Sequence, residues 1–162
     1  MSKDEQPEIT SYDDPNAPWN QLHTDEDVAN WNGPVIEEFR ANAGKVGGAY
    51  EGSTMLLLTT IGAKSGKQHV VPLGALYRDE TLWISSFIED RYPAWWYNAK
   101  ANPEVVIELG GATYRGRARV LEGDAYDEFA EWALANNPLL ADFQSKTARP
   151  MPFVTLELGE QI

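Results

Sequence analysis

Residues 62–69 read GAKSGKQH and place two lysines, a serine, a histidine and two glycines within eight positions. Such a turn can cradle an anion: Lys64 and Lys67 supply charge, Ser65 a hydroxyl, and Gly66 lets backbone amides come close. The nearest familiar pattern is the P-loop, which has four residues between its glycines and a Ser or Thr that ligates magnesium. Here three residues separate Gly62 from Gly66, and Gln68 stands where the hydroxyl belongs. Losing one residue changes which amides converge, and a side-chain amide is a poor magnesium ligand. The run that follows, QHVVPLGALYRD, is extended and β-branched, whereas a P-loop opens a helix. The motif reads as a basic turn between two strands, and taken alone its lysines are better read as solvated than as ligands. No paired carboxylates, Ser–His–Asp spacing or metal cluster stands elsewhere to support acid–base hydrolysis.

The elements that must hold this turn follow from pattern. Residues 1–23 are acidic, carry Pro7, Pro15 and Pro18, and lack periodicity, so they are expected to form a flexible arm ahead of a single domain over 24–162. Trp19 is its one tryptophan, a candidate for docking on the domain or on a second chain. From Thr24, a cap followed by Asp25, Glu26 and Asp27 opens a helix, and Gly33–Pro34 is expected to divide it into two segments ending near Gly44. Val28, Trp31, Val35, Ile36 and Phe39 would form its apolar face, which covers the sheet or closes over a substrate. STMLLLTTIG is a continuous apolar run, the mark of a strand buried on both faces. QHVVPLGALYRD and TLWISSF make a hairpin, PAWWYNAKANP a short helix ending before Pro103, and EVVIEL with TYRGRARVLEG a second hairpin. In the last strand Tyr114, Gly116, Ala118 and Val120 alternate with Arg115, Arg117 and Arg119, which points the arginines to solvent. Asp124 is expected to cap a helix that Pro138 ends; a further short helix and the strand PFVTLEL follow. Six antiparallel strands with short outer helices indicate an α+β protein built on a small barrel.

Composition sets outer limits. The 162 residues, with 43% hydrophobic content, suit one compact domain. A net charge of −12 disfavours a nucleic-acid footprint. The absence of cysteine excludes disulfides, thiol catalysis and cysteine-bound metals, and two histidines are too few for a histidine-rich site. No run approaches about eighteen apolar residues and the first residues do not form a signal peptide, so a cytoplasmic protein without membrane association is expected.

Taken together, LLLTTIGAKSGKQHVVPL, PAWWYNAKANPEVVIELGG and YRGRARV, in that order and near that spacing, resemble the deazaflavin-dependent nitroreductase family. The likeness runs from about Val35 to Leu158. It implies a split β-barrel of the FMN-binding type and coenzyme F420 as the hydride carrier. It implies that Lys64, Ser65, Gly66 and Lys67, with His69, hold the phosphate and acidic tail of that cofactor, and that Val71, Pro72 and Leu73 lie along its ring. Ser86, Trp95, Trp96, Tyr97 and Asn98 are the remaining expected cofactor neighbours, and Trp31, Leu140 and Phe143 the expected substrate pocket.

The activity so implied is hydride transfer from reduced deazaflavin to an electron-poor small molecule such as an enone, lactone or quinone, with nitro compounds as a further class. Catalysis would centre on the cofactor, with Tyr92 or Tyr97 as candidate proton donors and no metal. Two alternatives stay open at this level. A split barrel could hold FMN, whose shorter tail needs fewer basic contacts, or haem; or the chain could sequester the cofactor or a hydrophobic ligand without turnover. A homodimer is a further expectation.

Overall fold

The computed structural model describes residues 25–47, 54–86, 92–147 and 150–162, and side chains from residue 33 onward. The expected N-terminal arm, the Thr24 cap, Trp19 and the side chains of Val28 and Trp31 lie outside the described residues. The elements are α1 (Asp25–Ala41), β1 (Met55–Ile61), β2 (Gln68–Gly74), β3 (Leu76–Arg78), β4 (Thr81–Ile84), α2 (Ala94–Ala101), β5 (Glu104–Leu109), β6 (Ala112–Val120), α3 (Gly123–Asn136), α4 (Pro138–Lys146) and β7 (Val154–Gln161).

All strand pairs are antiparallel, in the order β2-β1-β5-β6-β7-β4-β3. β2 and β3 are therefore the two edges of the sheet, yet only Ala75 separates them in the chain. Two Cα–Cα steps span at most about 7 Å, so the edges must lie side by side and the sheet rolls back on itself. Ala75 donates its N–H to the Thr54 carbonyl at 2.9 Å, prolonging the β1–β2 ladder until Leu76 takes Trp83 as partner. The expected six strands become seven here because one bent strand changes partners at Ala75.

The interior of this curl is a core of Leu56, Leu58, Leu82, Ile84, Trp95, Ala99, Val105, Ile107, Ala118, Val154 and Leu156. The alternate residues Met55 and Leu57 of β1 join Phe39 and Val46 under α1, with Val35, Ile36 and Val70 packed beside them, which is why β1 reads as a continuous apolar run. A third core joins Trp83 to Phe129, Ala133, Leu140, Phe143, Met151 and Phe153 beneath α3 and α4. Arg78 lies across Phe129 and Trp132 and is held at its other end by Glu128 at 2.8 Å.

Two helix boundaries differ from expectation. α1 runs through Pro34 as one 17-residue helix: an interior proline removes one hydrogen bond, and the packing of Val35, Ile36 and Phe39 keeps the axis continuous. Its end turns through Ala43 and Gly44, whose φ of 93° favours glycine, and a side chain there would strike the Gly110 backbone at 2.8 Å. Arg40 anchors the same region to β5 by hydrogen bonds of 3.0 and 2.9 Å to Glu108. At α3 the cap position is Glu122 with no side-chain cap bond, and Asp124 sits inside the first turn, where its charge suits the helix dipole. α4 is capped by Asn137, whose side chain accepts from the Leu140 N–H at 3.2 Å, with Pro138 at its first turn. Arg115, Arg117 and Arg119 are exposed and alternate with less accessible neighbours, as the strand period requires.

Candidate functional site

The basic turn closes the β1–β2 hairpin, with Ile61 opposite Gln68 and Thr60 opposite His69. Its backbone is tied to itself: Gly62 donates to the Lys67 carbonyl at 2.7 Å and Gly66 to the Gly62 carbonyl at 3.0 Å. The Ser65 hydroxyl accepts from the Lys67 N–H at 3.2 Å and lies 3.5 Å from Nε2 of His69. Gly66 has φ of 70°, and a Cβ on Gly62 would sit 2.4 Å from Oγ of Ser65 and 3.0 Å from Nε2 of His69. Both glycines are thus required, one by conformation and one by space. Among the described residues, the N–H groups of Lys64 and Ser65 have no partner and neither lysine joins an ion pair. Two free amides and two exposed ammonium groups at one hairpin tip are an arrangement that takes a phosphate or carboxylate.

The turn is fastened from the side by α2. Oδ1 of Asn98 accepts from the Ala63 N–H at 3.0 Å, and its Nδ2 donates to Oγ1 of Thr60 at 3.2 Å; Asn102 adds a bond to the Ile61 carbonyl at 3.4 Å. Asn98 is buried and both ends of its amide are used inside the protein, so it positions the turn. To the expectation that it neighbours the cofactor the structure adds this bracing role. A sequence signal existed: Trp95, Asn98 and Ala99 stand at i, i+3 and i+4, so an asparagine shares the core face and needs internal partners.

The aromatic residues of α2 divide by the same periodicity. Trp95 is 6% exposed and belongs to the barrel core. Trp96 packs at the edge of that core, where Val71 and Leu73 also pack. Its ring lies 4.6 Å from Tyr92, 5.0 Å from Tyr97 and 5.1 Å from Nζ of Lys100. Tyr97 is 52% exposed. Trp96 and Tyr97, with Tyr92 just ahead of the helix, therefore form an aromatic surface on the same element as the brace of the basic turn. Pro72 lies on β2, an edge strand where proline's missing donor costs no ladder bond. The Tyr92 hydroxyl donates to the Pro150 carbonyl at 2.8 Å, whereas that of Tyr97 has no partner among the described residues.

Other expected residues are placed elsewhere. Ser86 is buried just beyond β4, beside Ser85, which donates to the Pro152 carbonyl at 2.7 Å. Leu140 and Phe143 are 0% and 1% exposed in the core beneath α3 and α4; they fill that core and line no opening among the described residues. A cleft of about 830 Å³ has Leu82, Ala118 and Leu156 along it and Tyr77, Lys100, Arg117 and Arg119 among its lining residues. None of the residues expected at the site borders it. Of its cations, Lys100 lies 3.1 Å from Glu122, while Arg117 and Arg119 join no ion pair among the described residues. The hairpin tip differs in adding two free backbone amides and a serine hydroxyl to its unpaired lysines. Among the described residues no group of three or more His, Asp or Glu could hold a metal, and no helix is long and apolar enough to cross a membrane.

Comparison with known proteins adds an independent line. Residues 33–157 match the family model described as F420H(2)-dependent quinone reductase. An F420H(2)-dependent quinone reductase of Mycobacterium tuberculosis is 32% identical over 124 residues, covering 73% of this chain and 83% of that protein. Among solved structures, an F420-H2 dependent reductase superposes with a TM-score of 0.53 at 33% identity, over 64% of this chain and 93% of its own. A second, described as a domain-swapped dimer, gives a TM-score of 0.55 at 29% identity over 80% and 98%.

Proposed function

The chain belongs to the F420H(2)-dependent quinone reductase family, and on that footing we propose that it reduces quinone-like acceptors with reduced F420. The observation that carries this reading is the hairpin tip: Lys64 and Lys67 unpaired, two free amides, and Asn98 fixing the loop against α2. F420 carries a phosphate and an acidic tail, the chemistry such a tip recognises. The flat ring has its counterpart in the aromatic surface of Trp96 and Tyr97, with Val71 and Leu73 packed at the margin of the same core. When bound there, the reduced cofactor supplies the hydride. Conversion of a quinone to its hydroquinone consumes that hydride and one proton. Tyr97, with its free hydroxyl, is the better placed of the two tyrosines to deliver the proton, because Tyr92 already donates to Pro150. The residues of the chain thus bind, orient and hold a proton, and need no acid–base pair.

Binding and turnover test separate parts of this proposal. Titration with oxidised F420 and with FMN, followed by tryptophan quenching, is expected to show tighter binding of F420. Lys64→Ala and Lys67→Ala should each weaken it about two- to fivefold, the range of an exposed charge pair, and less so at high salt. Preferential binding of FMN that ignores both lysines would overturn the assignment. Oxidation of reduced F420 that depends on an added soluble quinone separates an enzyme from a sequestering binder. A homodimer, supported by the relative solved in a domain-swapped form, is tested by the mass measured in solution.

A further inference from the structure

His69 lies within the anion-binding tip: its Nε2 is 3.5 Å from Oγ of Ser65, on the strand that leaves the turn. We infer that His69 is a proton-linked element of the cofactor tail site, so that protonation of its imidazole strengthens anion binding and loss of that proton weakens it. This rests on the reading of the Gly62–His69 tip as the site of the cofactor's acidic tail.

Two effects act in the same direction. The first is charge. Ser65 lies beside the imidazole and Thr60 is the residue paired with His69 across the β1–β2 ladder; the charged groups of the same turn are Lys64 and Lys67, and α2 reaches that turn through Asn98 at Ala63. No carboxylate forms an ion pair with His69 among the described residues. A bound phosphate or carboxylate would supply the opposite charge that favours the imidazolium.

The second effect concerns the direction of a hydroxyl. Oγ of Ser65 already accepts from the Lys67 N–H, leaving one lone pair and one O–H. A neutral His69 with an unprotonated Nε2 accepts that O–H and turns it away from solvent. In the imidazolium form Nε2–H becomes a donor and fills the remaining lone pair. The Ser65 O–H is then free to point outward to the anion. Imidazole is the side chain whose charge changes between about pH 5 and 8, so the switch falls in a range where both lysines stay charged. By linkage, binding of the acidic tail should also take up a proton at the tip.

The test is F420 binding between about pH 5.5 and pH 8, read by tryptophan quenching for the wild type, His69→Gln, His69→Arg and Ser65→Ala. Because F420 itself titrates, the quantity of interest is the wild-type affinity divided by that of His69→Gln at each pH. That ratio is expected to fall about three- to fivefold from the acid to the alkaline end. His69→Arg should bind tightly without that fall, and Ser65→Ala should retain only the part due to charge. The chain has two histidines, His23 and His69, so the imidazole signals in a proton NMR titration can be assigned by the His69→Gln variant. The His69 titration should move to higher pH when F420 is added. Parallel binding profiles for wild type and His69→Gln, or an imidazole titration that F420 does not move, would overturn this inference while leaving the cofactor site standing. Failure of F420 to bind at any pH would overturn both.

Discussion

Replacing Asn98 by Ala tests whether the basic turn is held in place by α2. The substitution removes the acceptor of the Ala63 N–H and the donor to Oγ1 of Thr60. Thr60 is 0% exposed, so water cannot easily take over, and a buried hydroxyl left without its partner costs about 1–3 kcal/mol. The Ala63 amide lies nearer the surface and can recruit water, leaving a net loss of about 1 kcal/mol. Together these give about 2–4 kcal/mol, or roughly 4–16 °C in melting temperature at 2–4 °C per kcal/mol for a chain of this size. Urea denaturation would supply the free energy and its slope a check on two-state behaviour. F420 affinity should fall by at least about fivefold, because ordering the released turn would then be charged to binding. Asn98→Asp separates the two consequences. A carboxylate still accepts from the Ala63 N–H and can accept the Thr60 hydroxyl, so stability should recover in part. Its negative charge behind the lysines should leave cofactor binding impaired. A Thr60→Val and Asn98→Ala cycle should show coupling of about 1 kcal/mol, since the two side chains share one bond. Loss of less than about 0.5 kcal/mol in Asn98→Ala, with F420 affinity intact, would refute the bracing role.

The glycines of the tip should respond differently from each other. Gly62→Ala puts a methyl 2.4 Å from Oγ of Ser65 and should weaken F420 binding about tenfold by displacing the hydroxyl that holds Lys67; Gly66→Ala, with φ of 70° and open space around it, should cost about 1 kcal/mol of stability through backbone strain alone. Gly116→Ala directs a methyl to 2.6 Å from Cδ1 of Ile107 and 2.7 Å from the Glu157 carbonyl, so a loss of about 1–3 kcal/mol in urea unfolding is expected, with F420 affinity unchanged. Burial, followed by the charges of Tyr92 and Asp127, pushes the Tyr126 phenol up to about 12 from its ordinary 10.0. The neutral form is the one the fold favours, so this contribution is complete below pH 10 and is lost as pH rises toward 12; Tyr126→Phe should remove that alkaline component from the stability profile, at a cost of about 1 kcal/mol at neutral pH for the bond to the Met151 carbonyl.

Much of the barrel could be read from the chain because its strands obey simple periods. β6 alternates, so its arginines had to face outward; β1 lies between two cores, so its apolar residues had to be continuous. The features that escaped are those that depend on a distant partner. Nothing local in QHVVPLGALYRD marks Ala75 as the residue where one strand leaves β1 for β4, because the change is imposed by the closing sheet. Pro34 reads as a break until the packing of Val35, Ile36 and Phe39 against β1 and β2 is known. Leu140 and Phe143 were expected at a substrate pocket from the family resemblance, and the structure places both in the core beneath α3 and α4. The lysines and serine of the tip were visible as a cluster, but their backbone bonds and the brace behind them were not.

The doublet Trp95–Trp96 shows how one short helix can serve two tasks. Neighbouring residues on an α-helix point about 100° apart, so Trp95 enters the core while Trp96 packs only at its margin. Trp95, Asn98 and Ala99 take the inward face, where an amide among apolar neighbours bonds to β1 and to the turn. Trp96, Tyr97 and Lys100 fall on the outward side, with Lys100 one turn beyond Trp96 and its Nζ over that ring. The surface offered to a flat ring and the brace of the anion-binding tip are therefore fixed in register by eight residues of one rigid element. A shift of α2 would displace that surface and loosen the tip together. This is why changes to its inward face, at Asn98, should impair cofactor binding through the bonds that side chain makes to Ala63 and Thr60.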